Sequence, residues 1–357
     1  MSKDLDKLKN IKKYDQNDMA SILEAFALQC QEALAIADKV IMPIAYQKKK
    51  FENIVFCGMG GSAIGAALIK DILRHELNIP MFVCQQYTLQ AFVNKASLIV
   101  ISSYSGNTEE TVSCFNDALK RKAPMIVISS GGKLEGLAKK HRMPFLKIHG
   151  DYPPRCALGF SFFCGLKILS KLKLIGNMSK DISETVKILD DLGVLMVPAV
   201  KIGHNEPKKI AQMLMNRFIV IYSSSEFSEA VSVRFKGQLA ENSKTFSSVN
   251  FIPELNHNEI EGWNKPAAML KNTAVIFLED RNELKKIRCR FRATKKTIKP
   301  TGCKIITLVA TGKSKMAKIF SLIYFCDWVS YYLAIINNVD PYPVKRIEKL
   351  KKDLTRS

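Results

Sequence analysis

Residues 53–64 read NIVFCGMGGSAI: a short apolar run at 54–57 stops at Gly58, Gly60 and Gly61 and leads into a helix-like stretch at about 62–75. A strand-length apolar run, a glycine turn and a helix together make the opening of a βα unit. The rhythm repeats downstream. MFVC (81–84), SLIVIS (97–102), MIVIS (125–129) and PFLKI (144–148) are further apolar runs, with helix-like stretches at about 108–121 and 133–141. Strands alternating with helices predict a parallel sheet covered by helices on both faces, a doubly wound α/β domain over residues 51–155.

Working outward, residues 156–205 predict a helical connector. The strand–helix rhythm then returns with RFIVIY (217–222), KTFSSVN (244–250), NTAVIFL (272–278) and CKIITLVA (303–310), accompanied by helices at about 227–242 and 314–336. A second doubly wound domain is therefore expected over 206–340. Residues 1–50 predict a helical segment, with one apolar face from Met19 to Ala37. Residues 341–357 hold a short C-terminal helix with Val344, Ile347, Leu350 and Leu354 on one side.

The chain of 357 residues has 54 Lys and Arg against 33 Asp and Glu, a net charge of +21. Residues 281–357 carry 19 basic and 5 acidic residues and so most of that excess. Such a charge suits polyanions. However, no zinc-finger spacing, RNP-like strand or zipper heptad accompanies it, and 281–296 reads as the solvated face of an amphipathic helix around Leu284, Ile287 and Phe291. Nucleic acid is not the expected partner. The nine cysteines form no CxxC pair and several sit in apolar runs, as reduced intracellular thiols do. The first residues, MSKDLDKLKNIKK, contain no apolar signal region, and a cytoplasmic location is expected. Residues 319–336, IFSLIYFCDWVSYYLAII, are long enough to span a bilayer, but Asp327 would cost about 2.5–3.5 kcal/mol at its centre. A buried helix is expected there and no membrane.

Ligands of open parallel sheets bind beyond the carboxyl ends of the strands, so the loops there carry the chemistry. Gly60, Gly61 and Ser62 open a helix, where unpaired N–H groups and the helix dipole favour an anion. The near-match to a dinucleotide fingerprint fails, because the next strand runs into Gln85, Gln86 and Tyr87 with no carboxylate for a ribose. A P-loop fails too, for lack of GK[ST]. After 97–102, Ser103, Ser105 and Thr108 surround Gly106 and precede Glu109 and Glu110. Each hydroxyl alone reads as a loop or N-cap residue. Together with the first loop they make a cradle for a phosphate monoester.

The motifs GMGGSAIG (58–65), SYSGNTEET (103–111), ISSGGKL (128–134), PPRCALGFSF (153–162) and GQLAENSKTFSSVNFIPELNHNEIEGW (237–263) together resemble the bifunctional phosphoglucose/phosphomannose isomerases, two-domain members of the sugar-isomerase (SIS) superfamily. The resemblance runs from about residue 50 to the C-terminus, in the family's order. It implies two SIS-type domains, a cytosolic homodimer, no metal or cofactor, and interconversion of glucose 6-phosphate and mannose 6-phosphate with fructose 6-phosphate. That reaction moves a proton between C2 and C1 through an enediolate, which one carboxylate can carry. The resemblance gives that role to Glu241, which by itself reads as a helix-surface glutamate. It gives ring opening to His257, reaching in from the partner subunit. Arg155, stiffened by Pro153 and Pro154, suits stabilisation of the enediolate oxygens. Lys351 matches a lysine near the ring oxygen. One departure stands out: Tyr342 in DPYPV (340–344) replaces the family's threonine, which leaves the glucose/fructose half of the activity the firmer expectation. A non-catalytic sugar-phosphate sensor would need the loops but not Glu241, His257 and Arg155 together. An amidotransferase-type isomerase would need a glutaminase domain with an N-terminal cysteine.

Overall fold

β1 (Asn53–Cys57), β2 (Met81–Cys84), β3 (Ser97–Ser102), β4 (Met125–Ser129) and β5 (Phe145–Lys147) form a parallel sheet of order β2-β1-β3-β4-β5. The computed structural model describes residues 4–354 and falls into two units, one of residues 25–186 and one joining 4–24 to 187–354. β1, β3 and β4 are buried at every position, as strands covered on both faces must be. Helix Gly61–Ile72 packs on helix Leu158–Lys171 without a gap: a Cβ at Gly65 would lie 2.4 Å from Ser161 Oγ. Helix Phe26–Lys39 is pinned to the same helix by buried Gln29, which donates to Cys156 O (2.9 Å) and accepts from Gly159 N (2.8 Å).

The second unit repeats the architecture. β6 (Phe218–Ser224), β7 (Ser247–Ile252), β8 (Thr273–Glu279) and β9 (Lys304–Val309) form a parallel sheet of order β7-β6-β8-β9. Two doubly wound α/β sheets are thus present, as the strand–helix rhythm predicts. β7 begins three residues later than expected. Lys244 takes a left-handed φ of 56°, and Asn337 holds Ser243 O and Thr245 Oγ1 at 3.0 Å each, so the ladder starts only at Ser247.

The expected N-terminal helix is broken at Ala25 into Met19–Glu24 and Phe26–Lys39, and the break falls where the units divide. Residues 4–24 are tied to their own unit by one buried and one half-buried polar group. Lys208, without solvent exposure, donates to Leu5 O (2.8 Å), Pro198 O (2.9 Å) and Val200 O (2.7 Å). Asp15 accepts from Met19 N (2.7 Å), Ala20 N (3.0 Å) and the Tyr331 hydroxyl (2.8 Å).

Helix Lys315–Ile336 is apolar enough to cross a bilayer by length and composition, but 94% of its most apolar window is buried in the fold. Asp327 within it faces helix Glu229–Glu241, receiving Arg234 Nη2 at 2.6 Å and Gln238 Nε2 at 3.0 Å. Asn242, four residues on, donates to Ser330 Oγ at 2.9 Å. Residues 234, 238 and 242 share one helix face, so this buried polar stripe fixes how the two helices meet. The basic helix Lys285–Ile298 buries Ile287, Phe291, Thr294 and Ile298 and turns its charges outward; Leu284 caps it and is exposed.

Candidate active site

The strand order of the first sheet decides where a ligand sits. With order 2-1-3-4-5, the connections from β1 and β3 leave in opposite directions and open a crevice between those strand ends. Gly58 and Ser102 meet there: a Cβ on Gly58 would lie 3.0 Å from Ser102 O. Gly60, at φ 50°, caps helix Gly61–Ile72 with no side-chain cap hydrogen bond, which leaves that helix end to an anion. Ser62 is buried in its first turn. Across the crevice, Ser103 donates to Thr108 Oγ1 at 2.9 Å, an arrangement in which the Thr108 proton can point at a bound oxygen. Thr108 caps helix Glu109–Lys120, also without a side-chain cap bond, and Ser105 is exposed at the loop tip.

A third loop locks this geometry. Gly106 has φ 67°, and a Cβ there would lie 1.8 Å from Gly131 O and 2.7 Å from Ser129 Oγ. A Cβ on Gly132 would in turn meet Ser105 O at 2.4 Å. Gly106→Ala is therefore expected to push the β3 and β4 loops apart, at a strain of about 1–3 kcal/mol. Calorimetric titration with fructose 6-phosphate should show affinity falling about tenfold or more, and unchanged affinity would remove this loop from the phosphate site.

Arg155 belongs to the same assembly. Its turn, Pro154–Cys156, packs on the first loop so closely that a Cβ at Gly61 would stand 2.7 Å from Pro154 O and 3.5 Å from Arg155 Cα. Arg155 is only 4% exposed. The structure thus brings Gly60, Gly61, Ser62, Ser103, Ser105, Thr108 and Arg155 into one neighbourhood of one unit. Their chemistry is that of a dianion cradle: two helix N-termini, four hydroxyls and a buried guanidinium turn.

Glu241, His257 and Lys351 lie in the other unit, on three separate elements. Glu241 is the last residue of helix Glu229–Glu241 and is half-buried. Lys244 donates to its carbonyl (2.5 Å) and to Pro343 O (2.8 Å), so the end of this helix is tied to the start of the C-terminal segment. His257 ends a short 3-10 turn after β7 and is exposed. Its loop is braced from behind: Glu259 accepts from the Tyr222 hydroxyl and from Asn250 Nδ2, and Trp263 Nε1 donates to Tyr222 Oη at 2.7 Å. Lys351 is exposed on helix Lys345–Leu354, whose apolar side also faces outward, with Leu350 59% and Leu354 63% exposed. Tyr342 is half-buried, its N–H bound to Asp340 Oδ1 at 2.8 Å.

The second sheet has an equivalent crevice between β6 and β8, and it is filled with acidic side chains. Ser224 donates to the Glu283 carboxylate, and Lys318 pairs with Asp280 at 2.9 Å. Burial pushes the Glu283 carboxyl up to about 6. The β6/β8 crevice thus holds a buried carboxyl and an ion pair where the β1/β3 crevice presents hydroxyls and helix N-termini.

Sequence reasoning missed the residues that position Glu241, namely Arg234, Gln238, Asn242 and Asp327. A signal was present: three polar residues four apart, and an aspartate inside an apolar run. The Tyr222–Glu259–Trp263 brace left no comparable trace, because its members are distant in sequence and ordinary in type.

Comparison with known proteins agrees with this geometry. A family profile described as "Bacterial phospho-glucose isomerase C-terminal SIS domain" matches residues 203–354. The chain is 38% identical to the bifunctional phosphoglucose/phosphomannose isomerase of Caldicellulosiruptor bescii, over 91% of this chain and 96% of that one. This chain belongs to that family. The enzyme of the same name from Aquifex aeolicus is 35% identical over 88% of this chain and 93% of its own. Among solved structures, a hypothetical protein from Thermus thermophilus superposes with a TM-score of 0.74 at 14% identity, covering 98% of this chain and 93% of the other. That likeness is one of fold alone.

Proposed function

We propose that this protein interconverts fructose 6-phosphate with glucose 6-phosphate, and with mannose 6-phosphate, in the cytoplasm. The observation that carries this reading is the hydroxyl-lined crevice between β1 and β3 with Arg155 packed beside it, in a chain related throughout its length to sugar-phosphate isomerases. The 6-phosphate sits on the Gly60–Ser62 and Ser103–Thr108 loops, satisfied by amide and hydroxyl donors.

In the aldose-to-ketose direction, His257 of a second copy of this chain protonates the ring oxygen as the C1–O5 bond breaks and the O1 hydroxyl releases its proton to water, leaving the open-chain aldehyde, and Lys351 supports the charge developing on the ring oxygen. Glu241 then removes the C2 proton of the open-chain aldose and returns it to C1, while the O2 hydroxyl proton passes to O1. Arg155 stabilises the enediolate oxygens between the two transfers. Because C1 and C2 are adjacent, one carboxylate serves both. The mannose epimer requires rotation about C2–C3 before proton return, and Tyr342 sets the room for it.

The test is a coupled assay on the purified full chain, supplied with fructose 6-phosphate and read separately for glucose 6-phosphate and mannose 6-phosphate. Both products are expected, with glucose 6-phosphate in excess. Binding of the sugar phosphate without turnover would overturn the enzymatic reading in favour of a sensor.

A further inference from the structure

Three thiols converge immediately behind the phosphate cradle and take no part in it. Cys57 and Cys84 end β1 and β2 and are register partners across the sheet, and Cys114 rises from helix Glu109–Lys120. Their sulfur atoms all lie within 4.8 Å of one another, with Cys84 and Cys114 at 3.9 Å. All three are buried to 2% exposure or less, among Val55, Leu89, Val93 and Phe115. Buried cysteines here bond nearby carbonyls, as Cys164 does with Ala33 O at 3.4 Å, and Cys84 and Cys114 do so with Thr88 O (3.5 Å) and Gln86 O (3.1 Å). What sets the trio apart is that its three sulfurs also converge on one another.

The spacing matches a metal more closely than a disulfide. Thiolates bound at about 2.3 Å to one tetrahedral or trigonal cation stand about 3.8–4.0 Å apart, whereas bonded sulfurs stand at about 2.05 Å. A fourth donor is at hand. The Gln90 amide nitrogen donates to Cys84 while its Oε1 is buried without a hydrogen-bond partner, so turning the amide over about its last bond brings that oxygen to the cluster. Arg121 fixes the loop that carries it, donating to the carbonyls of Leu89 (3.1 Å) and Gln90 (2.7 Å). The guanidinium is itself held by Asp117, at 2.9 and 3.0 Å, so the loop is fixed to helix Glu109–Lys120. The sequence conceals this arrangement, because Cys57, Cys84 and Cys114 are too far apart for any CxxC-type spacing.

We propose that Cys57, Cys84 and Cys114, with Gln90 Oε1, form a structural site for zinc that clamps the ends of β1 and β2 to helix Glu109–Lys120. Binding displaces the thiol protons to solvent and forms three metal–sulfur bonds, with no change in oxidation state. The site has no open position for substrate and takes no part in the isomerisation.

Cobalt(II) is the probe. The full chain, reduced and stripped with chelator, is titrated with cobalt under anaerobic conditions. Expected are a sulfur-to-cobalt charge-transfer band and visible tetrahedral bands that saturate at one ion per chain and are bleached by one equivalent of zinc. Cys84→Ala and Cys114→Ala should lose the charge-transfer band, while Cys289→Ser, at an exposed thiol, should keep it. Gln90→Ala should keep that band and shift the visible ones. Should a core variant fail to fold, native mass spectrometry of the wild type decides: the reduced, stripped chain should take up one zinc ion, and Cys289→Ser should do the same. Absence of the band in folded wild-type protein, or no zinc retained by it, overturns the proposal. None of these readouts depends on isomerase activity.

Discussion

Glu241→Gln is expected to lower kcat for fructose 6-phosphate by about 10²–10⁴-fold, the usual contribution of a positioned acid–base group, with little change in KM. The amide matches the carboxylate in shape but cannot accept the C2 proton. The helix that carries it is also held by Arg234, Gln238 and Asn242. The phosphate cradle lies on other elements and should bind as before. Steady-state kinetics in the coupled assay, with circular dichroism to confirm the fold, makes the comparison. Undiminished kcat would withdraw Glu241 from the proton transfer.

Arg234→Met should destabilise the protein by about 3–5 kcal/mol, the cost of stranding one member of a buried ion pair. Arg234 and Asp327 have side-chain exposures of 5% and 4%, and their contact is 2.6 Å. Methionine fills the volume but takes the guanidinium away from the buried Asp327 carboxylate, to which Gln238 still donates at 3.0 Å. Pairing Arg234→Met with Asp327→Leu removes the stranded charge and should restore most of the loss, since apolar replacements of whole buried pairs are often neutral. Equilibrium urea unfolding of the two variants decides the matter. A single variant within about 1 kcal/mol of wild type, the range of an exposed pair, would mean that the stripe contributes little. The double variant has a second use. If it regains stability but not turnover, the polar stripe serves to place Glu241.

Much of the fold was legible because parallel strands buried on both faces read as unbroken apolar runs, as at 97–102 and 125–129. Loop chemistry was legible for a related reason: Gly106 and Gly132 occupy places where a Cβ would strike the backbone. What escaped depends on contacts between distant segments. Nothing local marks Ala25 as the point where one apolar helix face becomes two. The β7 start is set by Asn337, over ninety residues away. Asp327 was read as an obstacle to membrane insertion, which is only the negative half of its meaning; its partners emerge when two helices pack. Strand order cannot be read from rhythm at all, and yet it selects the β1/β3 crevice.

The acidic filling of the β6/β8 crevice has a consequence for stoichiometry. A chain built from two sheets of the same winding could hold two sugar phosphates, yet Glu283 and Asp280 already occupy one of the two berths. Occupancy is expected to saturate at a single sugar phosphate per polypeptide, and uptake of a second equivalent in a titration would show that the β6/β8 crevice binds one too.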